Sequence, residues 1–189
     1  MNIQYIKTKL KEFPRVKLMW GPTPIVYAQN ISKYLGIDLY IKRDDLSGLA
    51  LGGNKTRKLE FIMGKALERK YDTVITAGAL HSNHALQTAA AAKKLGMDAV
   101  LVLRGKEENK GNFFMDKIIE AYTRVFNVKT SKELKVFMDD IQKELEAKGK
   151  KPVVIPVGGS EPTGVLGYIN AALEITEQLK ELNFYIDYV

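Results

Sequence analysis

Short apolar runs of strand length alternate with stretches of helical periodicity along most of this chain, and that alternation restricts the fold more than any other feature. Runs at residues 39–41, 73–76, 99–103, 124–126 and 153–157 are rich in Val, Ile, Leu and Thr. Between most of them lie segments whose apolar residues recur every three to four positions, predicting helices over 56–70, 84–95, 113–122, 131–147 and 164–182. In the first of these, Leu59, Ile62, Met63, Ala66 and Leu67 share one face. The stretch opening at Ser131 carries Ser131-Lys132-Glu133-Leu134, a helix-capping pattern. Strand and helix in alternation predict an α/β fold of open, mostly parallel sheets with helices on both faces. Ligands are then expected in the loops beyond the carboxyl ends of the strands.

Composition bounds the classes of function. The 189 residues, 46% of them hydrophobic, can bury a substantial core. The formal charge of +7 comes from lysines interleaved with glutamates along helix faces, so nucleic acid is not the expected partner. The compact basic run Lys148-Gly149-Lys150-Lys151 falls where a helix should end, where cations favour the helix dipole. Cysteine is absent, which removes disulfides and thiolate metal sites and fits a reducing compartment. The N-terminus lacks the apolar core of a secretory signal, and no apolar run is long enough to span a bilayer. A cytoplasmic protein is expected.

The chemistry is concentrated in Gly52-Gly53-Asn54-Lys55-Thr56-Arg57-Lys58 and, further on, Ser82-Asn83-His84 between a strand and an Ala-rich helix. Two glycines let the backbone turn tightly or approach a ligand, and a lysine held in a poorly solvated place becomes a usable nucleophile. The alternative is a surface lysine of a Gly-rich turn. A nucleotide-phosphate loop is a near miss, because Gly48 and Gly53 have its spacing but Asn54 stands where its lysine would be. Ser82 and Asn83 begin a helix, where unpaired N–H groups and the dipole suit an anion, or where either side chain simply caps the helix. His81 and His84 are the only histidines; without a third ligand nearby no metal is expected. Gly158-Gly159-Ser160 forms a second Gly-rich exit on the same predicted edge.

With these residues in view, the chain resembles the family of 1-aminocyclopropane-1-carboxylate deaminase and D-cysteine desulfhydrase, pyridoxal-phosphate enzymes of fold type II, the tryptophan-synthase-β type. The matching text runs from Pro22-Thr23-Pro24 through residues 41–60, then Ser82-Asn83-His84, residues 101–105 and 156–160. The resemblance implies that Lys55 binds pyridoxal 5'-phosphate as a Schiff base and moves protons at the substrate carbon. It implies that Asn83 bonds the cofactor's phenolic oxygen and Asn54 supports its phosphate. Ser82 would hold the substrate carboxylate and assist proton transfer, with Asn83, His84 and Gly159 lining the substrate site. His84 is more like the D-cysteine desulfhydrase side of the family; glutamine is usual on the other. The implied enzyme is a deaminating lyase, or hydrolase, acting on a small amino acid as a homodimer.

The resemblance also implies two domains: residues 55–158 as a small α/β domain, and residues 1–54 with 159–189 as an incomplete large cofactor domain. The family's phosphate loop and pocket tyrosines follow the segment matching residues 184–189, which itself reads as a strand. Activity of the chain alone is therefore an open expectation, with a non-catalytic cofactor-binding fragment as the contrary reading.

Overall fold

A computed structural model describes residues 3–130 and 132–189. Four strands, β3 (Thr73–Ala79), β4 (Asp98–Arg104), β5 (Tyr122–Phe126) and β6 (Pro152–Ile155), form one parallel sheet in the order β5-β4-β3-β6. The two others, β1 (Ile25–Tyr27) and β2 (Tyr40–Lys42), pair antiparallel as a separate ribbon. The helices are α1 (Ile3–Leu10), α2 (Gln29–Leu35), α3 (Lys55–Glu68), α4 (Asn83–Lys94), α5 (Gly111–Ile118), α6 (Leu134–Ala147) and α7 (Pro162–Leu182).

The alternation of side chains along each strand builds a core on both faces of the sheet. Val74 of β3 with Ala99, Leu101 and Leu103 of β4 packs toward Leu59 and Met63 of α3, Ala85 and Ala89 of α4 and Phe113 of α5. The intervening Ile75, Ala77, Val100 and Val102 pack toward Leu134, Met138 and Ile141 of α6. The register Thr73↔Asp98 through Ala79↔Arg104 keeps both sets aligned. All four strands thus present their carboxyl ends on one edge, where the loops at Ser82 and Gly158 emerge.

The differences from the expected elements have local causes. The helix expected over 113–122 ends at Ile118, because Glu120 takes a left-handed φ of 56° and Tyr122 already pairs with Val100. The last strand stops at Ile155, since Pro156 has no N–H to continue a ladder and Val157–Gly159 coils into a 3-10 turn. The cap expected at Ser131 lies outside the described residues. Glu133 stands at the helix start, and its carboxylate accepts from the N–H and Oγ1 of Thr130, both at 2.8 Å.

Residues 184–189 form no strand. Asn183 closes α7 in a left-handed conformation, and the chain beyond it joins neither sheet. Phe184 stacks instead on Tyr40, with ring centroids 4.7 Å apart. The basic run behaves as a helix terminus does: Lys148 Nζ pairs with Glu144 at 2.8 Å and Lys150 Nζ with Asp98 at 2.9 Å.

Candidate active site

Lys55 is the first residue of α3, and the loop before it has room only for glycine at two positions. A Cβ on Gly52 (φ 74°) would lie 1.7 Å from the carbonyl oxygen of Asp45. A Cβ on Gly53 (φ 128°) would lie 2.4 Å from Asn83 Nδ2 and 2.5 Å from Gln87 Nε2. The two motifs separated in sequence are therefore in contact. Asn83 Nδ2 donates to the Gly52 carbonyl at 3.4 Å, and Gln87 Nε2 donates to the same oxygen at 3.0 Å. The Gly53 N–H donates to the Asp44 carbonyl at 2.9 Å and to Ser47 Oγ at 3.1 Å.

Asn54 occupies the capping position of α3 without capping it. Its amide donates instead to the hydroxyl of Tyr168 on α7, at 2.6 Å. The helix start is satisfied from outside: Gln87 Oε1 accepts from the Thr56 N–H at 2.7 Å and from Thr56 Oγ1 at 2.6 Å. Lys58, one turn along, donates to the Gly158 carbonyl at 3.0 Å. Burial, then the charge of Lys55, holds its ammonium below the usual lysine range.

Ser82 caps α4, its Oγ accepting from the Ala85 N–H at 3.2 Å. That leaves the first N–H groups of the helix without an intrahelical acceptor. His84, the second residue of α4, points into the core. It is buried, with Nε2 2.9 Å from Thr76 Oγ1, beneath Gly159. Burial first, then Lys55 and Lys58, lower its pKa to about 4. Gly159 is buried too, at φ 59°, with room for a Cβ limited by Ile62 at 3.2 Å and by His84 and Lys58 at 3.5 Å.

Lys55, Asn83, Gly53 and the Gly158–Gly159 exit thus surround one edge of the sheet, with Asn54 turned toward α7. His81 lies apart, exposed and bonded through Nε2 to Glu108 at 2.6 Å. Among the described residues no group of three His, Asp or Glu side chains forms a metal-ligand set.

Sequence reasoning passed over Gln87 and Arg57. The guanidinium of Arg57 is fully buried and bidentate to Asp44 (2.8 and 2.8 Å) and to Glu174 (2.9 and 3.0 Å). Gln87 stands four residues after Asn83 on an otherwise Ala-rich helix, so helical spacing places both on one face. That spacing was the available signal. Arg57 had none, because its partners are distant in sequence.

A family model described as pyridoxal-phosphate dependent enzyme matches residues 16–189. The chain belongs to that family. It is 54% identical over 182 residues to a putative 1-aminocyclopropane-1-carboxylate deaminase of Pyrococcus furiosus, covering 96% of this chain and 55% of that protein. It is 43% identical over 190 residues to D-cysteine desulfhydrase of Serratia proteamaculans, covering 97% of this chain and 56% of that one. A solved ACC deaminase homologue superposes with a TM-score of 0.89 at 56% identity, over 92% of this chain and 53% of that chain. The fold is that of the type II pyridoxal-phosphate enzymes. The chain spans about half the length of the curated relatives it matches. None of these relatives is named a hydrolase, so that part of the expectation is not supported.

The residues present fit the cofactor. A primary amine opens a helix beside a backbone stripped of Cβ atoms, a second ammonium stands one turn away, and the α4 N-terminus faces the same edge. Among the described residues no helix is long and apolar enough to cross a membrane.

Proposed function

We propose that the protein containing this chain is a deaminating lyase of D-cysteine desulfhydrase type, converting D-cysteine and water to pyruvate, hydrogen sulfide and ammonia. The observation that carries this reading is the contact of the Gly53-Asn54-Lys55 segment with Asn83 at the carboxyl edge of the sheet. Bound pyridoxal phosphate supplies an electron sink for negative charge at the substrate α-carbon.

Lys55 is the amine that attaches the cofactor and carries the proton between Nζ and the substrate carbon. Asn83, at the start of α4, orients the cofactor ring through its side-chain amide. The N–H groups at the same helix start receive the substrate carboxylate, with the Ser82 hydroxyl available as a proton donor. Asn54, tied to Tyr168, supports the cofactor phosphate from the α7 side. His84 and Gly159 shape the floor of the substrate site from below, and the presence of His84 after Asn83, as on the D-cysteine desulfhydrase side of the family, supports D-cysteine as the substrate. Residues 1–54 with 159–189 belong to a cofactor domain and residues 55–158 to a smaller one. The assembly is a homodimer in the cytoplasm, a setting that fits a chain without cysteine.

A second reading, ring-opening deamination of 1-aminocyclopropane-1-carboxylate to 2-oxobutanoate and ammonia, is favoured by the higher identity to relatives carrying that name. The two are separated by product. Purified protein is incubated with pyridoxal phosphate, desalted, and reduced with borohydride before peptide mass spectrometry. Parallel assays then read sulfide from D-cysteine and 2-oxobutanoate from the cyclopropane. A reduced adduct on Lys55 with sulfide release is the expected result. A cofactor adduct elsewhere, or turnover retained in Lys55→Ala, overturns the reading. Robust 2-oxobutanoate without sulfide transfers it to the second substrate.

A further inference from the structure

Among the described residues, Gln87 is the side chain that hydrogen-bonds the backbone on both sides of Lys55. Its Nε2 donates to the Gly52 carbonyl at 3.0 Å, three residues before Lys55. Its Oε1 accepts from the N–H and hydroxyl of Thr56, the residue after Lys55, at 2.7 and 2.6 Å. The side chain is fully buried, so these bonds are shielded from competing water. The amide orientation follows from the partners: a carbonyl oxygen at one end demands the NH₂ group there, and the backbone N–H at the other end demands the oxygen.

Three further features point to a structural role for this bridge. The capping residue of α3, Asn54, makes no side-chain bond to the helix, and Gln87 Oε1 at 2.7 Å is a nearer acceptor for the Thr56 N–H than the Gly53 carbonyl at 3.4 Å, with Ser47 Oγ adding a bond to Thr56 Oγ1 at 3.2 Å. Gly53 lies so close to Nε2 that a Cβ there would approach to 2.5 Å. Finally, Gln87 projects from α4 on the same face as Asn83, one turn before it.

From this we infer that Gln87 is a positioning residue for the reaction proposed above, holding the 52–56 backbone in fixed register with Asn83 so that Nζ of Lys55 meets the cofactor and the substrate carbon. It touches neither cofactor nor substrate. It works by making the turn that carries Lys55 and the helix start that carries Asn83 one rigid unit. The inference rests on the lysine-centred reading for its effect on turnover, but the clamp itself does not.

The test uses Gln87→Leu, similar in length but without the amide, and Gln87→Glu. In Gln87→Leu, amide hydrogen exchange at Gly53–Thr56 is expected to quicken by about tenfold or more while the β3 and β4 amides keep their protection. kcat is expected to fall about 10- to 100-fold with KM within about threefold, the pattern of a misplaced reacting group rather than lost binding. Borohydride trapping of pyridoxal phosphate on Lys55 is expected to slow in parallel. Gln87→Glu supplies a readout that a merely structural role would not move. Its ionised carboxylate cannot donate to the Gly52 oxygen, whereas the protonated acid can, so its activity and exchange protection relative to the parent should recover as pH falls.

Unchanged exchange at 53–56 together with unchanged kcat in Gln87→Leu overturns the inference, as does a Gln87→Glu deficit that does not vary with pH. Should Gln87→Leu fail to fold, Thr56→Val, which keeps the backbone bond and removes the hydroxyl, must show a smaller loss of the same kind; wild-type exchange and turnover there also overturn it. If wild-type Lys55 traps no cofactor, the functional reading fails, while exchange at 53–56 still decides the clamp.

Discussion

His84 Nε2 lies 2.9 Å from Thr76 Oγ1, and that hydroxyl in turn donates to the Ile155 carbonyl at 2.9 Å. With the hydroxyl proton given to β6, the oxygen is free to accept from Nε2–H of a neutral imidazole. Nδ1 is buried without a hydrogen-bond partner. The ring therefore ties α4 to β3 and β6 beneath the site.

Acid should loosen this tie. Burial and the charges of Lys55 and Lys58 hold the folded-state pKa at about 4, against an ordinary value of 6.5. The unfolded chain thus binds the proton first: stability is complete above pH 6.5 and declines as pH falls through about 4, by on the order of 3 kcal/mol. His84→Gln should lose that part of the acid sensitivity. Urea denaturation of both proteins from pH 7 to 4 checks it, and parallel curves would contradict the assignment.

Asp116 on α5 gives the opposite sign. It is fully buried with neither carboxylate oxygen hydrogen-bonded, and burial, slightly countered by His81, raises its pKa to about 7. Its raised folded-state pKa means stability is greatest at low pH and is lost as pH climbs toward 7, by on the order of 4 kcal/mol at most. Asp116→Asn should accordingly raise Tm at pH 8 and leave it nearly unchanged at pH 4. Thermal melts at the two pH values test this, and a variant less stable at pH 8 would refute it.

Gly52→Ala should be more damaging than Gly53→Ala. At Gly52 the added methyl would meet backbone oxygen at 1.7 Å, which cannot rotate away. At Gly53 it would meet the ends of two side chains, which can. Both carry strain of roughly 1–3 kcal/mol from φ alone. The expected result is loss of cofactor binding in Gly52→Ala and a partial defect in Gly53→Ala, read by the retained cofactor absorbance after desalting. Equal retention in both would contradict the geometry.

Arg57→Ala should destabilise the fold by at most about 3–5 kcal/mol, since the half-buried Asp44 and Glu174 would lose the buried guanidinium that joins them. Lys42, 2.5 Å from Glu174, would offset only one of the two carboxylates. Arg57→Lys keeps the charge but loses the paired bonds, and should fall between the two. Denaturant midpoints order the three proteins; a wild-type midpoint in Arg57→Ala would show that the cluster contributes little.

Much of this was readable before any tertiary structure. The parallel sheet followed from the spacing of apolar runs, because strand and helix each impose their own period on what must be buried. Lys55 and Asn83 stood out because glycine pairs and strand exits are local features with local meaning. What periodicity could not supply were elements of minimal length, such as the three-residue strands at Ile25 and Tyr40, whose pairing depends on each other. Nor could it tell that residues 184–189 find no strand partner, since a β-strand is stabilised by its neighbour rather than by its own sequence.

Pattern and spacing alone carried the fold class and marked out Lys55 and the strand-exit loops near it. Long-range packing set the burial of His84, the turn of Asn54 to Tyr168, and the ties of Gln87 and Arg57 that hold the lysine turn to α4 and α7. The physical reason is one of range. Backbone conformation and burial period are set within a few residues, whereas the hydrogen bonds that aim a side chain join residues tens of positions apart, and exist only once the core has brought them together.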